Sequence, residues 1–353
     1  MKIQSIHFHN VGPLGDRVID LTSDWDGQIE KQVLLSGPNG CGKSTVLRAV
    51  AMLWEALGHW LTQRKPLPKN HFAREWLQRW DGCAVVLHGA TDAGPVVGLV
   101  FGELAWCAQL QSSLPSVEWI GEGVARTGKP GNPKREVFLP QGDWFTQWSD
   151  ASKRMALTFE PLGVPNITFL DGEERRWVTP KKRVGEFLAE SPRLRWLPRY
   201  LPAEDWEGQL EASLINLKLT NEAKFTQVLA HLNAFLFDKH IEPDIPEGSN
   251  RLRVKFKEPR KGAGTITLDE LSAGEHQVLI MVYLVARWAE SGGVVMIDEP
   301  DLHLHPSLTS MLLARLENMV QALDGQLWLT SHLPSVWSRY ETTGRRVDLG
   351  VQT

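Results

Sequence analysis

Apolar positions along the chain divide it into two patterned ends and a less regular middle. Ile3, Ile6 and Phe8 mark a strand over Ile3–His9. Gly12–Gly15 makes a turn, and Arg17–Leu21 returns as the other half of a hairpin. Gln32–Leu35 is a short strand that runs straight into a glycine-rich loop, Gly37–Gly42, and a helix is expected from Lys43 to Trp60. Two prolines in residues 64–70 end it. Strands follow at Cys83–His88 and Val96–Leu104. After residue 250, Leu252, Val254 and Phe256 alternate with Arg251, Arg253, Lys255 and Lys257, the pattern of a half-buried strand with one basic face, and Thr265–Leu268 pairs back. Gly274–Ala289 is apolar nearly all round and reads as a buried helix. Val294–Ile297 and Gln326–Thr330 are continuous apolar strands of the kind found inside a parallel sheet, with a helix over Leu308–Leu323 between them.

Residues 105–250 show no such order except over 210–237, where Leu210, Leu214, Leu217, Phe225, Val228, Leu229, Leu232 and Phe235 recur at helical spacing. Residues 121–135 are expected to form an exposed basic loop. Composition sharpens this division. Half of the thirty aromatic residues are tryptophan, and eleven of the fifteen tryptophans fall between Trp54 and Trp206. Large rings with one polar edge suit interfaces as well as cores, so this stretch is where a partner is expected. The 353 residues suffice for two domains or one with a large insertion, at a prior of ~150 per domain. No apolar run reaches the ~18 residues that span a bilayer, and the N-terminus alternates like a strand without a signal-peptide core. Cys41, Cys83 and Cys107 give no disulfide framework and no paired metal spacing, which fits a reducing cytoplasm. A net charge of -4 means that any nucleic-acid contact must come from a local patch.

Gly37-Pro38-Asn39-Gly40-Cys41-Gly42-Lys43-Ser44, followed by Thr45, fits a phosphate-binding loop between a strand and a helix. Its glycines let backbone N–H groups converge on phosphates, and the helix N-terminus adds its dipole. Lys43 would reach the β- and γ-phosphates of ATP and Ser44 would ligate Mg²⁺. Val294–Ile297 delivers Asp298 toward the metal and Glu299 toward an attacking water. Leu271-Ser272-Ala273-Gly274-Glu275 opens a helix, with Ser272 and Glu275 spaced as a capping box. Thr330-Ser331-His332 follows a core strand.

Together these motifs resemble the ABC-type ATPase superfamily, and Glu299-Pro300-Asp301-Leu302-His303-Leu304-His305-Pro306 resembles its RecF/SMC-like and OLD-family branch. That branch acts in DNA repair, chromosome maintenance and bacterial defence against phage. The resemblance covers roughly residues 1–100 and 250–353. It implies an α/β P-loop ATPase head with a mixed or parallel core, antiparallel N-terminal strands and an inserted, partly helical subdomain. The expected division is 1–104 and 251–353 for the two parts of the head and 105–250 for the insertion. The resemblance further implies that Ser272 and Gly274 form the signature that closes on the ATP of a second subunit. Asp301 becomes the D-loop residue at that dimer interface and His332 the switch histidine. His303 and His305 read as packing or interface residues rather than metal ligands. The glutamine loop has three candidates, Gln109, Gln111 and Gln141.

A long coiled coil is absent, and only 21 residues follow His332, so a nuclease or toxin activity would belong to a separate effector protein. The function implied is ATP-driven dimerisation and hydrolysis, coupled to an effector or to nucleic acid in anti-phage defence. A RecF-like repair factor, a transport cassette and an ATP-held scaffold are the alternatives. Two basic groups are candidates for contacting DNA, RNA or a partner: Arg175, Arg176, Lys181, Lys182 and Arg183, interleaved with tryptophan, and the strand face of Arg251, Arg253, Lys255 and Lys257. Basic runs also serve as solvated faces or blunt an exposed sheet edge.

Overall fold

The structure, a computed structural model, describes residues 1–90, 95–125, 134–160, 162–179, 191–202, 210–260 and 263–350. It is an α/β fold with a parallel core, N-terminal antiparallel strands and helical insertions. Strands β1 (Lys2–Val11) and β2 (Gly15–Asp20) form the expected hairpin, and β3 (Gln32–Ser36) leads through the glycine-rich loop into α1 (Lys43–Gln63). After the short α2 (Phe72–Leu77), β4 (Gly82–His88) pairs with β1 and β5 (Val96–Glu103) with β4, both antiparallel. Helix α3 (Leu104–Ser113) carries the chain across to β6 (Val117–Val124), which lies parallel to β5, and β7 (Arg135–Phe138) completes a six-stranded sheet in the order β2-β1-β4-β5-β6-β7. Residues 121–124 therefore belong to a strand rather than to the expected loop. Gly121 is the reason they fit, since a Cβ there would stand 1.9 Å from the Val100 carbonyl oxygen. Glu122 is fully buried, ion-paired with Arg135 and accepting the Leu67 N–H at 3.0 Å.

Helix α4 (Asp143–Met155) precedes β8 (Ile167–Leu170), and α5 (Leu210–Thr220) and α6 (Glu222–Asn233) form a helical pair. Strands β9 (Lys239–Ile241), β10 (Arg253–Arg260) and β11 (Ala263–Thr267) make a small antiparallel sheet with β10 in the middle. Helix α7 (Ala273–Trp288), β12 (Val294–Ile297), α8 (Pro306–Ala322), β13 (Gln326–Thr330), α9 (Pro334–Thr343) and β14 (Arg345–Asp348) follow. The central sheet is wholly parallel in the order β14-β3-β13-β12-β8.

Strand alternation explains the layering. Val33, Leu35, Val294, Met296 and Trp328 point into one core shared with α1 and the inner face of the six-stranded sheet. Leu34, Val295, Ile297, Leu327 and Leu329 point the other way, into a second core with α5 to α9. A third, smaller cluster packs α3 on the outer face of the six-stranded sheet. Helix α1 is thus buried between two sheets, which is why both its faces are apolar. Gln326, fully buried, exchanges two hydrogen bonds with the backbone of Ile3 (2.8 and 3.0 Å) and fastens the two sheets together.

Residues 105–250 serve both sheets: β6 and β7 extend the first, and β8 closes the edge of the second. The tryptophan-rich stretch is likewise packing rather than an open face. Of its eleven tryptophans the ten described are all buried or half-buried. Trp54 stacks on Trp196 at 4.6 Å between ring centroids, and each indole N–H donates to the other residue's carbonyl (2.8 and 2.9 Å). Among the described tryptophans the exposed one is Trp25, outside the stretch.

Candidate functional site

Three parallel strands end side by side, and the segments leaving their C-terminal ends build the site. After β3, Gly37, Gly40 and Gly42 all adopt positive φ (139°, 78° and 102°), which side chains rarely tolerate. A Cβ on Gly42 would lie 2.7 Å from Leu14, and one on Gly37 would lie 2.8 Å from the Cys41 sulfur, whereas Gly40 opens to free space. No described side chain caps the N-terminus of α1 and its first turn holds no acidic residue, so the leading N–H groups remain available to an anion. Pro38, Asn39 and Thr45 complete the loop. The Lys43 ammonium is buried and donates to the carbonyls of Gly37 (3.0 Å) and Pro38 (3.1 Å).

Asp298 follows β12 and is buried, and the Ser44 hydroxyl in the first turn of α1 is among the groups that lower its pKa. Thr330, at the end of β13, donates its hydroxyl to Asp298 Oδ1 at 2.6 Å and accepts the Glu299 N–H at 2.8 Å. Burial pushes the Asp298 carboxyl above its ordinary range, the hydroxyls of Thr330 and Ser44 oppose that, and the neighbouring Asp171 and Glu299 add to it. Ser44 and Asp298 suit Mg²⁺, which takes oxygen ligands and keeps room for phosphate oxygens and water. No cluster of three or more His, Cys, Asp or Glu side chains suited to a metal occurs among the described residues. Glu299 holds φ at 47°, a left-handed conformation for a non-glycine residue. Its Oε1 lies 3.1 Å from His332 Nε2, and both side chains are about one-third exposed (32% and 34%).

Sequence reasoning missed one residue here and misplaced another. Strand β8 runs parallel beside β12 with Leu170 opposite Ile297, so Asp171 emerges next to Asp298. Asp171 is buried and ion-paired with Arg48 of α1. The signal was present: Ile167–Leu170 followed by Asp171 repeats the pattern of Val294–Ile297 followed by Asp298. Arg175 was expected to reach outward to a partner, yet it is 2% exposed and donates to the Glu299 carbonyl at 2.7 Å. Burial lowers its guanidinium to about 10, against the pull of Asp298, Asp171, Glu299 and Asp301.

Ser272 is the N-cap of α7, accepting the Glu275 N–H while the Glu275 carboxylate accepts the Ser272 N–H at 2.8 Å. Ser272 is exposed. A Cβ on Gly274 would lie 3.6 Å from the His303 carbonyl oxygen, an ordinary contact. Asp301 accepts the Ser331 hydroxyl at 3.1 Å, and burial raises its carboxyl. His305 caps α8 through Ser307, a packing role. Gln109 and Gln111 lie on α3, and Gln141 lies just before α4.

The remaining basic candidates divide. Lys181, Lys182 and Arg183 lie outside the described residues, and Arg176 is exposed. Arg251 is not a free cation: it is ion-paired with Glu211 and Asp269 because the buried Glu211 requires a counter-charge. Arg253, Lys255 and Lys257 are exposed on one face of β10, with Lys257 donating to the Leu236 carbonyl at 2.9 Å and Lys255 standing 3.9 Å from Glu242. No described helix is long and apolar enough to cross a membrane.

Residues 171–338 match a protein family described as "AAA domain, putative AbiEii toxin, Type IV TA system". The matched span, just under half the chain, opens at Asp171 and takes in Arg175, the Ser272–Gly274 segment, Asp298, Glu299 and His332. No curated protein matches the sequence. Among solved structures the chain is similar to the SMC head domain from Thermotoga maritima. The identity is 14%, with coverage of 99% of this chain and 94% of that one and a TM-score of 0.45. It is also similar to an SMC head bound to the C-terminal winged-helix domain of ScpA, with 13% identity, 96% and 92% coverage and a TM-score of 0.44.

Proposed function

We propose that this protein is an ATPase that binds Mg-ATP, pairs with a second copy around it and hydrolyses it. The observation that carries the reading is the Ser44–Asp298–Thr330–Glu299–His332 chain of contacts, which joins the phosphate-binding loop to a paired carboxylate and imidazole at the ends of three adjacent parallel strands. The uncapped N–H groups of α1 would receive the β-phosphate, and Lys43 would turn from its loop carbonyls to the β- and γ-phosphates. Magnesium held through Ser44 and Asp298 would neutralise developing phosphate charge. Glu299 would take the proton of the attacking water, with His332 holding that carboxylate and contacting the γ-phosphate side. The exposed Ser272 and the half-buried Gly274, at the N-terminus of α7, would cover the nucleotide of the other copy, with Asp301 at the shared interface.

The family description for residues 171–338 names a toxin of a toxin–antitoxin system. It supports a role in a toxin–antitoxin system; we extend this to anti-phage defence in which the ATP cycle controls a separate effector protein or answers to nucleic acid. Mg-ATP is expected to raise the melting temperature and wild-type protein to release phosphate. Lys43→Ala is expected to lose both responses while melting normally without nucleotide. A wild-type protein whose melting is indifferent to Mg-ATP would overturn the reading.

A further inference from the structure

Arg175 stands where two parts of the site meet that sequence reasoning treated separately: the helix opened by Ser272 and the loop that carries Glu299. Its guanidinium reaches the Glu299 carbonyl at 2.7 Å with one terminal nitrogen and the Met281 sulfur at 3.0 Å with the other. Its own carbonyl accepts the side-chain amide of Gln277. Gln277 and Met281 are four residues apart on α7 and therefore share one face of it. Two residues on, Trp177 stacks on His276 of the same helix at 4.1 Å and donates to Asp269 at 2.6 Å. At its other end the segment begins at Asp171, ion-paired to α1, and Gly172 lies beside Asp298.

We infer that Arg175 is a positioning residue: residues 171–177 form a bracket through which the Ser272 helix sets the backbone of Glu299, and hence the aim of its carboxylate. The physical case rests on the left-handed conformation of Glu299. A non-glycine residue at φ 47° persists only when its surroundings hold it. Thr330 holds its N–H, and Arg175 holds its carbonyl together with the Leu302 N–H of the same loop (3.1 Å), so each peptide group flanking the Cα is bonded to a side chain from outside the loop. Burying a guanidinium to 2% exposure is costly, and here it is compensated by the carboxylates of Asp298, Asp171, Glu299 and Asp301. A displacement of α7 caused by nucleotide at Ser272 would move Gln277 and Met281, and with them Arg175 and the Glu299 carbonyl. The inference rests on the ATPase reading for its catalytic arm but not for its structural one.

Arg175→Met keeps the bulk of the side chain and removes the bond to Glu299. Without nucleotide, hydrogen exchange over Glu299–His303 is expected to rise in this variant. With Mg-ATP, kcat is expected to fall by up to about 10²-fold, the scale of a catalytic group misplaced by roughly an ångström, while KM and the ATP-induced melting shift stay near wild type. Arg175→Lys, which retains the charge but spans fewer acceptors, is expected to fall between the two. Gln277→Ala leaves the guanidinium in place and loosens only its tether to α7. It is expected to give the same signs with smaller size, and it serves as the test should Arg175→Met fold poorly. Unchanged exchange over Glu299–His303 in both variants, or loss of ATP binding in parallel with kcat, would overturn the inference. A wild-type protein without ATPase activity but with the exchange response intact would instead remove the proposed function and leave the bracket standing.

Discussion

Asp298 receives a hydrogen bond from the Thr330 hydroxyl but is buried near Asp171 and Glu299, and burial raises its pKa. A carboxyl with a folded-state pKa above its unfolded value binds its proton more readily in the native protein. Its contribution to stability therefore declines as pH rises from about 3.9, the unfolded value, through the elevated folded one, and stays low above it. Asn is neutral and nearly isosteric. Without nucleotide or magnesium, Asp298→Asn should melt above wild type at neutral pH, with the gap closing as pH falls through the carboxylate range. With Mg-ATP the order should reverse, because only the wild type retains the carboxylate proposed to hold the metal. Scanning calorimetry across pH reads both, and an Asp298→Asn variant that melts below wild type at pH 7 without ligands contradicts this account. The same burial explains Arg175. Composition marked it as one of a basic group, but charge alone does not reveal whether a guanidinium meets solvent or is buried against the Glu299 carbonyl.

At the scale of elements, α1 shows how tightly the loop's supporting helix is set. Gly58 lies in its interior with a right-handed conformation, so helix propensity alone would favour alanine by up to ~1 kcal/mol. A Cβ there would stand 2.9 Å from Trp196 Nε1, and that ring is fixed by its stack on Trp54 and by its N–H bond to the Trp54 carbonyl. Gly58→Ala should therefore destabilise the protein, by about 1–3 kcal/mol as overpacking does. Trp54→Ala, which empties a fully buried position, should cost about 3–5 kcal/mol. Denaturant titration checks both, and a stabilised Gly58→Ala would show that Trp196 yields. Elements were legible in the sequence where one periodicity dominated. The parallel strands β3, β12 and β13, and helices α1 and α7, were found because a strand or helix buried on both sides is apolar throughout. Strands β6, β7 and β8 were missed for opposite reasons. Residues 121–124 look like loop because their glycines are demanded by close strand packing, and Ile167–Leu170 is too short to stand out without its partner β12. The motifs proposed to bind and hydrolyse ATP stand out in the sequence because each is a contiguous segment. Thr330's bridge, Asp171 and Arg175 depend on which strands become neighbours, and that is decided by the sheet.

For the whole molecule, the arrangement is a set of layers with the site along one end of the parallel sheet. The phosphate-binding loop, Asp298 and the Glu299–His332 pair meet there, while Ser272 caps the exposed N-terminus of α7. The proposed function requires two such molecules, each offering Ser272 and Gly274 to the nucleotide of the other, with ATP as part of the interface and hydrolysis as the release. Replacing the water-activating carboxylate while keeping the phosphate-binding loop and the metal ligands should arrest that cycle with nucleotide bound. The decisive measurement is light scattering of purified Glu299→Gln with Mg-ATP, alongside its phosphate release. The account predicts a species of twice 39.7 kDa that persists with hydrolysis reduced by about 10²-fold or more, and a return to monomer when ATP is withdrawn. A Glu299→Gln protein that stays at 39.7 kDa with Mg-ATP and hydrolyses it at the wild-type rate contradicts it.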